Sequence, residues 1–191
     1  MDDDWKFIKE VYSLNDLPDD SLPEFVFWGR SNVGKSSLIN LLTKKKIAKT
    51  SKSPGRTQSL VLFQFKKNLR ILDFPGYGFS RIPKRKEFSL DMLIDKYLSQ
   101  RENLKGLFLL VDSRLGLKEI DNKILESLSK INLEIFIVFT KIDKLKNKNE
   151  KEKIKILIDK IHKKHYKKIF NTSIHKSKGI ILLKKFLFKS L

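Results

Sequence analysis

Short apolar runs alternate with amphipathic helical segments along most of this 191-residue chain. The first run, residues 25–28, ends at Gly29, and an apolar helical face follows over residues 36–42. Such alternation favours a mainly parallel sheet, because each helix returns the chain to the edge where the next strand begins. Helices then cover both faces of the sheet, so the sequence predicts an α/β fold in three layers.

The same patterns predict six strands and five helices in one domain that spans residues 1–191. A tight turn at Asn68 joins the second strand to the third, which makes one strand antiparallel. Two polar segments with glycine and proline, residues 44–59 and 74–86, are expected to be mobile loops. The expected strands are residues 25–28, 60–65, 69–72, 107–111, 134–139 and 168–171. The expected helices are residues 36–42, 88–104, 118–130, 150–165 and 178–188.

Composition excludes several classes of protein. The chain has no cysteine, which rules out a disulfide framework and thiolate metal ligands. No apolar stretch approaches the roughly 20 residues that span a bilayer. The acidic amino terminus is followed by no apolar signal region. We therefore expect a cytoplasmic protein with no membrane partner.

Positive charge is concentrated in the last part of the chain, and the formal net charge is +19. Residues 141–191 hold seventeen lysines and four acids, whereas residues 1–28 hold two lysines and eight acids. A basic surface of this kind suits a polyanionic partner such as RNA. Because 34 of the 41 basic residues are lysine, a compositional bias of the genome explains the excess equally well. Both interpretations stay open.

A glycine-rich loop between the first strand and the first helix matches the pattern G-x-x-x-x-G-K-S. Its glycines allow a close approach to an anion, and the following helix adds its positive amino end. Lys35 is placed to bind the β- and γ-phosphates of a nucleotide, and the Ser36 hydroxyl is placed to bind Mg²⁺. The predicted phosphate-binding residues are Gly29, Arg30, Ser31, Asn32, Val33, Gly34, Lys35 and Ser36.

A second motif, of the form D-x-P-G, closes the strand over residues 69–72. An acid at the end of such a strand, here Asp73, can hold Mg²⁺ through water, and the Gly76 amide can contact a γ-phosphate. The residues between them, Phe74 and Pro75, are predicted to be part of the same nucleotide site.

A third motif, Thr140-Lys141-Ile142-Asp143, follows the strand over residues 134–139 and matches the guanine-reading pattern [NT]-K-x-D. A carboxylate at Asp143 can accept both the N1–H and the exocyclic amine of guanine, a pair of donors that adenine lacks. The stem of Lys141 can cover the plane of the base. A further segment at the end of the last strand would bring a backbone amide to the guanine O6: Thr172, Ser173 and Ile174. The three motifs in this order predict a guanine-nucleotide-binding domain and disfavour an ATPase or kinase.

Beyond these motifs, the chain resembles the EngB family of small GTPases from about Phe7 to its last helix. The resemblance is carried by the phosphate loop with Ser37-Leu38-Ile39-Asn40, by Pro54-Gly55-Arg56-Thr57-Gln58 and by Asp73-Phe74-Pro75-Gly76-Tyr77-Gly78. It implies a monomer with the P-loop GTPase fold that hydrolyses GTP slowly with Mg²⁺. It also implies a role in assembly of the large ribosomal subunit and in normal cell division and septation.

The resemblance also extends the predicted site. Thr57 becomes a Mg²⁺ ligand beside Ser36 and Asp73, and the catalytic residues are then Lys35, Asn32, Thr57 and Gly76. The further residues predicted to contact the nucleotide are Ser37, Gly55, Arg56, Thr57, Gln58 and Ser59. A nucleotide-gated module that binds RNA or protein, with negligible hydrolysis, is the alternative function.

Catalysis departs from the commonest GTPase pattern at Tyr77, because many GTPases place a glutamine there to orient the attacking water. Another group must then stabilise the charge that develops between the β- and γ-phosphates. Asn32 occupies the position at which potassium-stimulated GTPases carry an asparagine that helps to hold K⁺, which can replace an arginine finger. Arg56 is a second source of positive charge. The alternative for Asn32 is that it only fits the backbone geometry of the loop.

Overall fold

The computed structural model describes residues 4–49, 59–78, 84–162, 166, 168–175 and 177–189. Within these residues the chain forms a single seven-stranded sheet and five α-helices. The strands are β1 (Trp5–Val11), β2 (Glu24–Gly29), β3 (Leu60–Phe65), β4 (Leu69–Asp73), β5 (Leu104–Asp112), β6 (Ile135–Thr140) and β7 (Lys168–Asn171). The helices are α1 (Lys35–Thr43), α2 (Lys84–Gln100), α3 (Glu119–Leu128), α4 (Lys148–His162) and α5 (Ser177–Lys189).

The strand order is β1-β3-β4-β2-β5-β6-β7. Only β3 runs against the others in this part of the chain, since it pairs antiparallel with both of its neighbours. The pairs from β4 through β7 are all parallel. The carboxyl ends of β2, β4, β5, β6 and β7 therefore lie along one edge of the sheet, which is where ligands bind in open α/β folds. The predicted fold class and its single antiparallel strand are confirmed.

The prediction of six strands was wrong, because the chain adds β1 at the edge of the sheet. The five residues between Trp5 and Val11 are all exposed, so this strand carries no alternation of buried and exposed positions. Its two buried ends are too far apart in sequence to give the pattern from which a strand is predicted. Only its pairing with β3 makes it a strand.

Two hydrophobic cores lie on the two faces of the sheet. One core packs α2, α3 and α4 against the sheet through residues such as Tyr97, Leu125 and Ile161. The other packs α1 and α5 against the opposite face and is centred on Phe108, which stacks on Phe27 and Phe136. This arrangement confirms the three layers predicted from the alternation. No helix within the described ranges is both long and apolar enough to cross a bilayer.

Helix α2 differs most from its prediction. It begins at Lys84, inside the segment predicted as a loop, and it ends at Gln100 because Leu104 already belongs to β5. The first turn of the helix is basic rather than apolar, so hydrophobic spacing could not reveal it. Most of the first predicted loop, residues 50–58, lies outside the described residues, as do residues 79–83 of the second.

Candidate functional site

The phosphate loop joins the buried strand β2 to helix α1 at the carboxyl edge of the sheet. Gly34 forms the amino-terminal cap of α1 with a φ of 106°, a backbone conformation that residues with a Cβ rarely adopt. Its carbonyl accepts the amide of Leu38, while the amides of the first turn have no acceptor within the helix. These amides and the helix dipole make the loop a ready-made anion site.

Lys35 and Asp73 meet as an ion pair between the phosphate loop and the end of β4. Burial raises the pKa of Asp73, and the neighbouring ammonium of Lys35 opposes this by lowering it. A bound nucleotide would compete for Lys35, since phosphate oxygens offer it a second anionic partner. The Asp73 carboxylate and the nearby Ser36 hydroxyl are hard oxygen donors of the type that Mg²⁺ prefers, so the donor set fits this metal.

The D-x-P-G-Y turn lies directly on the phosphate loop. The Tyr77 amide donates to the Gly29 carbonyl (3.3 Å), and the Ser31 amide donates to the Tyr77 carbonyl (3.0 Å). The Ser31 hydroxyl donates to the Gly76 carbonyl at 3.2 Å. A Cβ on Gly76 would lie only 2.9 Å from the Cα of Ser31, so the contact requires a glycine. The second predicted motif is thus in place against the first.

Two residues of this turn point away from the nucleotide loops. The Phe74 side chain is fully buried and packs edge-on against Trp28 and Tyr97 in the core. The Pro75 carbonyl accepts a hydrogen bond from the Trp28 indole at 3.0 Å. Val33 of the phosphate loop is likewise a core residue. The side chains of Phe74 and Val33 therefore belong to the core, and only their backbone atoms are available to the predicted nucleotide site.

A cavity of about 150 Å³ lies beside the phosphate loop, between the residues that follow β6 and β7. Its lining includes Ser37, Lys141, Asp143, Ser173 and Ile174. A hydrogen bond from the Ser173 hydroxyl lowers the pKa of Asp143, which keeps this carboxylate charged. Its buried Oδ1 has no hydrogen-bond partner among the described residues. A buried acceptor left open in a cavity is what a ligand with N–H donors would satisfy.

Lys141 connects this cavity to the phosphate loop. Its backbone adopts a left-handed conformation with a φ of 58°, and its ammonium donates to the Asn32 carbonyl at 2.7 Å. The Thr140 hydroxyl makes a second link by donating to the Val33 carbonyl at 2.7 Å. The third predicted motif and the phosphate loop are therefore parts of one continuous site.

The last predicted segment follows β7. The Thr172 hydroxyl and amide both donate to the Phe139 carbonyl, which fixes the end of β7 against β6. The Thr172 carbonyl accepts the Ile142 amide at 3.3 Å. The Ile174 side chain lies at the rim of the cavity with 53% of its surface exposed.

The remaining predicted residues are Gly55, Arg56, Thr57, Gln58 and Ser59. Gly55, Arg56, Thr57 and Gln58 lie outside the described residues, so their contacts stay predictions. Ser59 is buried immediately before β3, and its hydroxyl donates to Glu10 of β1.

Sequence reasoning missed Asp112 at the end of β5. This buried carboxylate accepts hydrogen bonds from Lys141 (2.9 Å) and Arg114 (2.7 Å). Burial alone would raise the pKa of Asp112, but the hydrogen bonds from Arg114 and Lys141 outweigh it and lower the pKa to about 2. Asp112 thereby holds the Lys141 ammonium near the phosphate loop. An acid that ends a buried parallel strand was the signal that could have found it.

Known proteins resemble the chain in both sequence and structure. Residues 24–141 match a family described as 50S ribosome-binding GTPase. A probable GTP-binding protein EngB from Mycoplasmopsis synoviae is 47% identical over 82% of this chain and 85% of its own length. Another, from Bradyrhizobium diazoefficiens, is 46% identical over 75% of this chain and 67% of its own length.

Two solved structures agree with these sequence matches. A crystal structure of a probable GTP-binding protein EngB matches 87% of this chain and 97% of that one, with a TM-score of 0.67 and 28% identity. A variant of Era from Aquifex aeolicus bound to GDP·AlF4⁻ matches 90% of this chain and 57% of that one, with a TM-score of 0.72 and 27% identity. With a matching family model over residues 24–141 and relatives 46–47% identical over most of its length, this chain belongs to the EngB family of GTP-binding proteins.

Proposed function

We propose that this protein hydrolyses GTP with Mg²⁺ and uses the two nucleotide states as a switch in assembly of the large ribosomal subunit. The observation that carries the proposal is the open Oδ1 of Asp143 in a cavity tied by Lys141 to the phosphate loop. A guanine base satisfies such an acceptor with its N1–H and amine, and its phosphates then reach the loop amides. A role in cell division and septation follows from that of its family.

Each residue of the site has a part in this proposal. Lys35 leaves Asp73 to bind the β- and γ-phosphates, and the Gly76 amide contacts the γ-phosphate. Ser36, Thr57 and Asp73 would hold Mg²⁺, which when bound neutralises charge on the β- and γ-phosphate oxygens. Turnover without a partner is proposed to be slow, because Tyr77 stands where other GTPases place a glutamine.

Potassium is a proposed further cofactor, held near Asn32. Asn32 is exposed, and its backbone carbonyl accepts a hydrogen bond from the Lys141 ammonium. The residue also has a φ of 62°, so the loop demands a left-handed backbone at this position, which asparagine tolerates. The left-handed φ supports the backbone interpretation, and the exposed position leaves the side chain accessible to a cation.

The proposed partner is the large ribosomal subunit or its precursor, approached by a monomer in the cytoplasm. Exposed lysines of α4 on one face of the sheet and of α5 on the other offer positive charge to ribosomal RNA. These lysines are Lys148, Lys151, Lys153, Lys155, Lys160, Lys178, Lys185 and Lys189. A solved structure of Era in complex with MgGDPNP and nucleotides of 16S ribosomal RNA matches 88% of this chain and 56% of that one, with a TM-score of 0.69 and 25% identity.

Single-turnover hydrolysis of GTP, with and without large ribosomal subunits, tests the proposed reaction. Hydrolysis that subunits accelerate supports the switch. Nucleotide-dependent binding to subunits without hydrolysis would instead favour the alternative, a nucleotide-gated binding module. A competition between GTP and ATP for the site provides the control for base identity.

Co-sedimentation with ribosomal subunits tests the basic surface. Binding through lysine–phosphate contacts should weaken steeply as salt rises, because each neutralised phosphate releases counterions. The double variant Lys178→Glu and Lys185→Glu on α5 should bind subunits less tightly and keep its affinity for GTP. Lys123→Glu with Lys130→Glu, on the opposite face of the sheet, is the matched control. Equal subunit binding by both double variants would favour compositional bias.

A further inference from the structure

Asp121 is a buried acid on α3 that the proposed reaction does not use, and its side chain has no exposed surface. Its Oδ1 accepts a hydrogen bond from the Tyr77 hydroxyl at 2.7 Å. Its Oδ2 lies 3.2 Å from Nε of Arg30 and accepts the Lys118 amide at 2.7 Å. One carboxylate thus contacts a helix end and two residues from outside its own element.

The two outside partners belong to the two loops of the nucleotide site. Arg30 is the second residue of the phosphate loop, and its guanidinium also donates to the Gly116 carbonyl at 2.8 Å. Tyr77 directly follows Gly76, and its ring packs edge-on against Trp28 with centroids 5.3 Å apart. Asp121 is therefore the point at which both loops are fastened to α3.

Burial of Asp121 stabilises its contacts with the two loops. A buried carboxylate without partners is costly, which favours retention of the Asp121 ion pair with Arg30 and of its hydrogen bond from Tyr77. Gly76, one residue before Tyr77, lies against Ser31 of the phosphate loop, whose hydroxyl donates to the Gly76 carbonyl at 3.2 Å, and the Gly76 amide is the group proposed to contact the γ-phosphate. With Tyr77 held in place, the turn can reorient only about that residue.

We infer that Asp121 is a positioning residue: through Arg30 and Tyr77 it fixes the pivot about which the Gly76 turn meets the γ-phosphate. The inference rests on the proposed function, since it concerns how the same site distinguishes GTP from GDP. It assigns Asp121 no contact with the nucleotide. Loss of the pivot should weaken binding of a GTP analogue and leave binding of GDP nearly unchanged, because GDP has no γ-phosphate.

Two conservative variants test this role, and the chain supplies a matched control for each. Asp121→Asn removes the charge, and Tyr77→Phe removes only the hydroxyl. Glu24→Gln and Tyr97→Phe are the controls, because Glu24 is equally buried and accepts the Tyr97 hydroxyl at 2.7 Å and Arg101 at 2.7 Å. That cluster lies at the amino end of β2, away from the nucleotide loops.

The measurements are the affinities for GDP and for a non-hydrolysable GTP analogue, and the single-turnover rate of hydrolysis. Asp121→Asn and Tyr77→Phe should each lower the analogue affinity relative to GDP, and the hydrolysis rate, by about threefold to tenfold. The double variant should be no worse than the more impaired single variant, since both remove the same link. The two controls should lower the melting temperature without changing the affinity ratio.

Trp28 supplies a readout that does not depend on hydrolysis. Trp5 and Trp28 are the two tryptophans of the chain, so Trp5→Phe leaves one indole, which packs on Tyr77 and donates to the Pro75 carbonyl. In that background the emission of Trp28 should differ between the GDP and analogue states. Tyr77→Phe should reduce this difference, whereas Tyr97→Phe should leave it intact.

The outcomes separate the inference from the function beneath it. A wild-type protein that fails to bind guanine nucleotides would overturn the proposed function, and the positioning role with it. A wild-type protein that binds both nucleotides, with the same affinity ratio and Trp28 response in every variant, would overturn only the positioning role. Equal changes in the Asp121 variant and its Glu24 control would also overturn it, because they would mean a purely structural acid.

Discussion

The two ends of the central sheet each bury an acid with an arginine and a tyrosine, but the partners come from different places. At the amino end Glu24 accepts bonds from Arg101 and Tyr97, and both belong to α2 or the residue that follows it. At the carboxyl end Asp121 pairs with Arg30 and Tyr77, which belong to two loops. The same chemistry joins regular elements at one end and loops at the other.

This difference between the two ends indicates where a ligand can bind. Glu24 at the amino end also lies 3.5 Å from Arg70, which in turn pairs with Asp20. The charged groups of this cluster are therefore paired with one another. At the carboxyl end, the buried Oδ1 of Asp143 has no hydrogen-bond partner among the described residues. Buried polar atoms are normally paired, so an unpaired acceptor that lines a cavity indicates a place where a ligand can bind.

The largest expected effect concerns the unpaired Oδ1 of Asp143 at the carboxyl end of the sheet. Asp143→Asn should weaken GTP binding by roughly 1,000-fold, since two hydrogen bonds to a charged group each contribute about 2 kcal/mol. The amide should accept xanthosine triphosphate instead, whose base presents an oxygen where guanine has its amine. Titration with both nucleotides measures the exchange of preference. Retained preference for GTP would show that another group reads the base.

The next effect belongs to the amino end and concerns stability. Glu24→Gln should lower the free energy of unfolding by about 3 kcal/mol, because it leaves Arg101 without its anionic partner and Arg70 with Asp20 alone. Urea unfolding of the nucleotide-free protein measures the loss. Nucleotide affinity should not change, since this cluster lies at the opposite end of the strands. A large loss of GTP affinity with unchanged stability would reverse the roles assigned to the two ends.

A third prediction separates the side chain of Asn32 from its backbone. Glycine keeps a left-handed φ without strain, whereas alanine does not. If the side chain holds K⁺, the wild-type protein should hydrolyse GTP about tenfold faster in K⁺ than in Na⁺. Asn32→Gly and Asn32→Ala should then both lose this difference between the two salts. Single-turnover rates in the two salts measure it. A potassium response that survives in Asn32→Gly would leave the backbone interpretation standing.

The smallest effect compares two aspartates, one at each end, whose pKa is lowered to about 2. Hydrogen bonds from Arg114 and Lys141 lower the pKa of Asp112, and one from Arg70 lowers that of Asp20. Because both values lie below the ordinary 3.8, the stabilisation is complete above about pH 4 and is lost as the pH falls towards 2. Unfolding free energies across that range should therefore fall less steeply in Asp112→Asn and Asp20→Asn.

The change should be larger for Asp112, since 40% of the Asp20 side chain is exposed and water screens its ion pair. Urea unfolding at several pH values between about 2 and 4 measures both slopes. A wild-type slope in Asp112→Asn would show that the carboxylate contributes no pH-dependent stability.

Much of the fold was predictable because buried elements leave a periodic signal. Strand β3 was predicted with its exact limits, and β7 likewise. The elements that were missed or misplaced lack this signal: β1 is exposed everywhere between its two buried ends, and α2 begins with a basic turn. Their positions depend on pairing and packing with distant residues, which local spacing does not encode.

The sequence by itself determined the residues of the three nucleotide motifs, because short contiguous patterns specify loops whose backbone must meet an anion or a base. Only the tertiary structure decided which distant acids hold those loops. Asp112 and Asp121 stand in no motif, yet Asp112 holds Lys141, and Asp121 joins Arg30 to Tyr77. A buried charge takes its partners from whatever the fold brings within hydrogen-bond distance, and those partners are separated by dozens of residues in the chain.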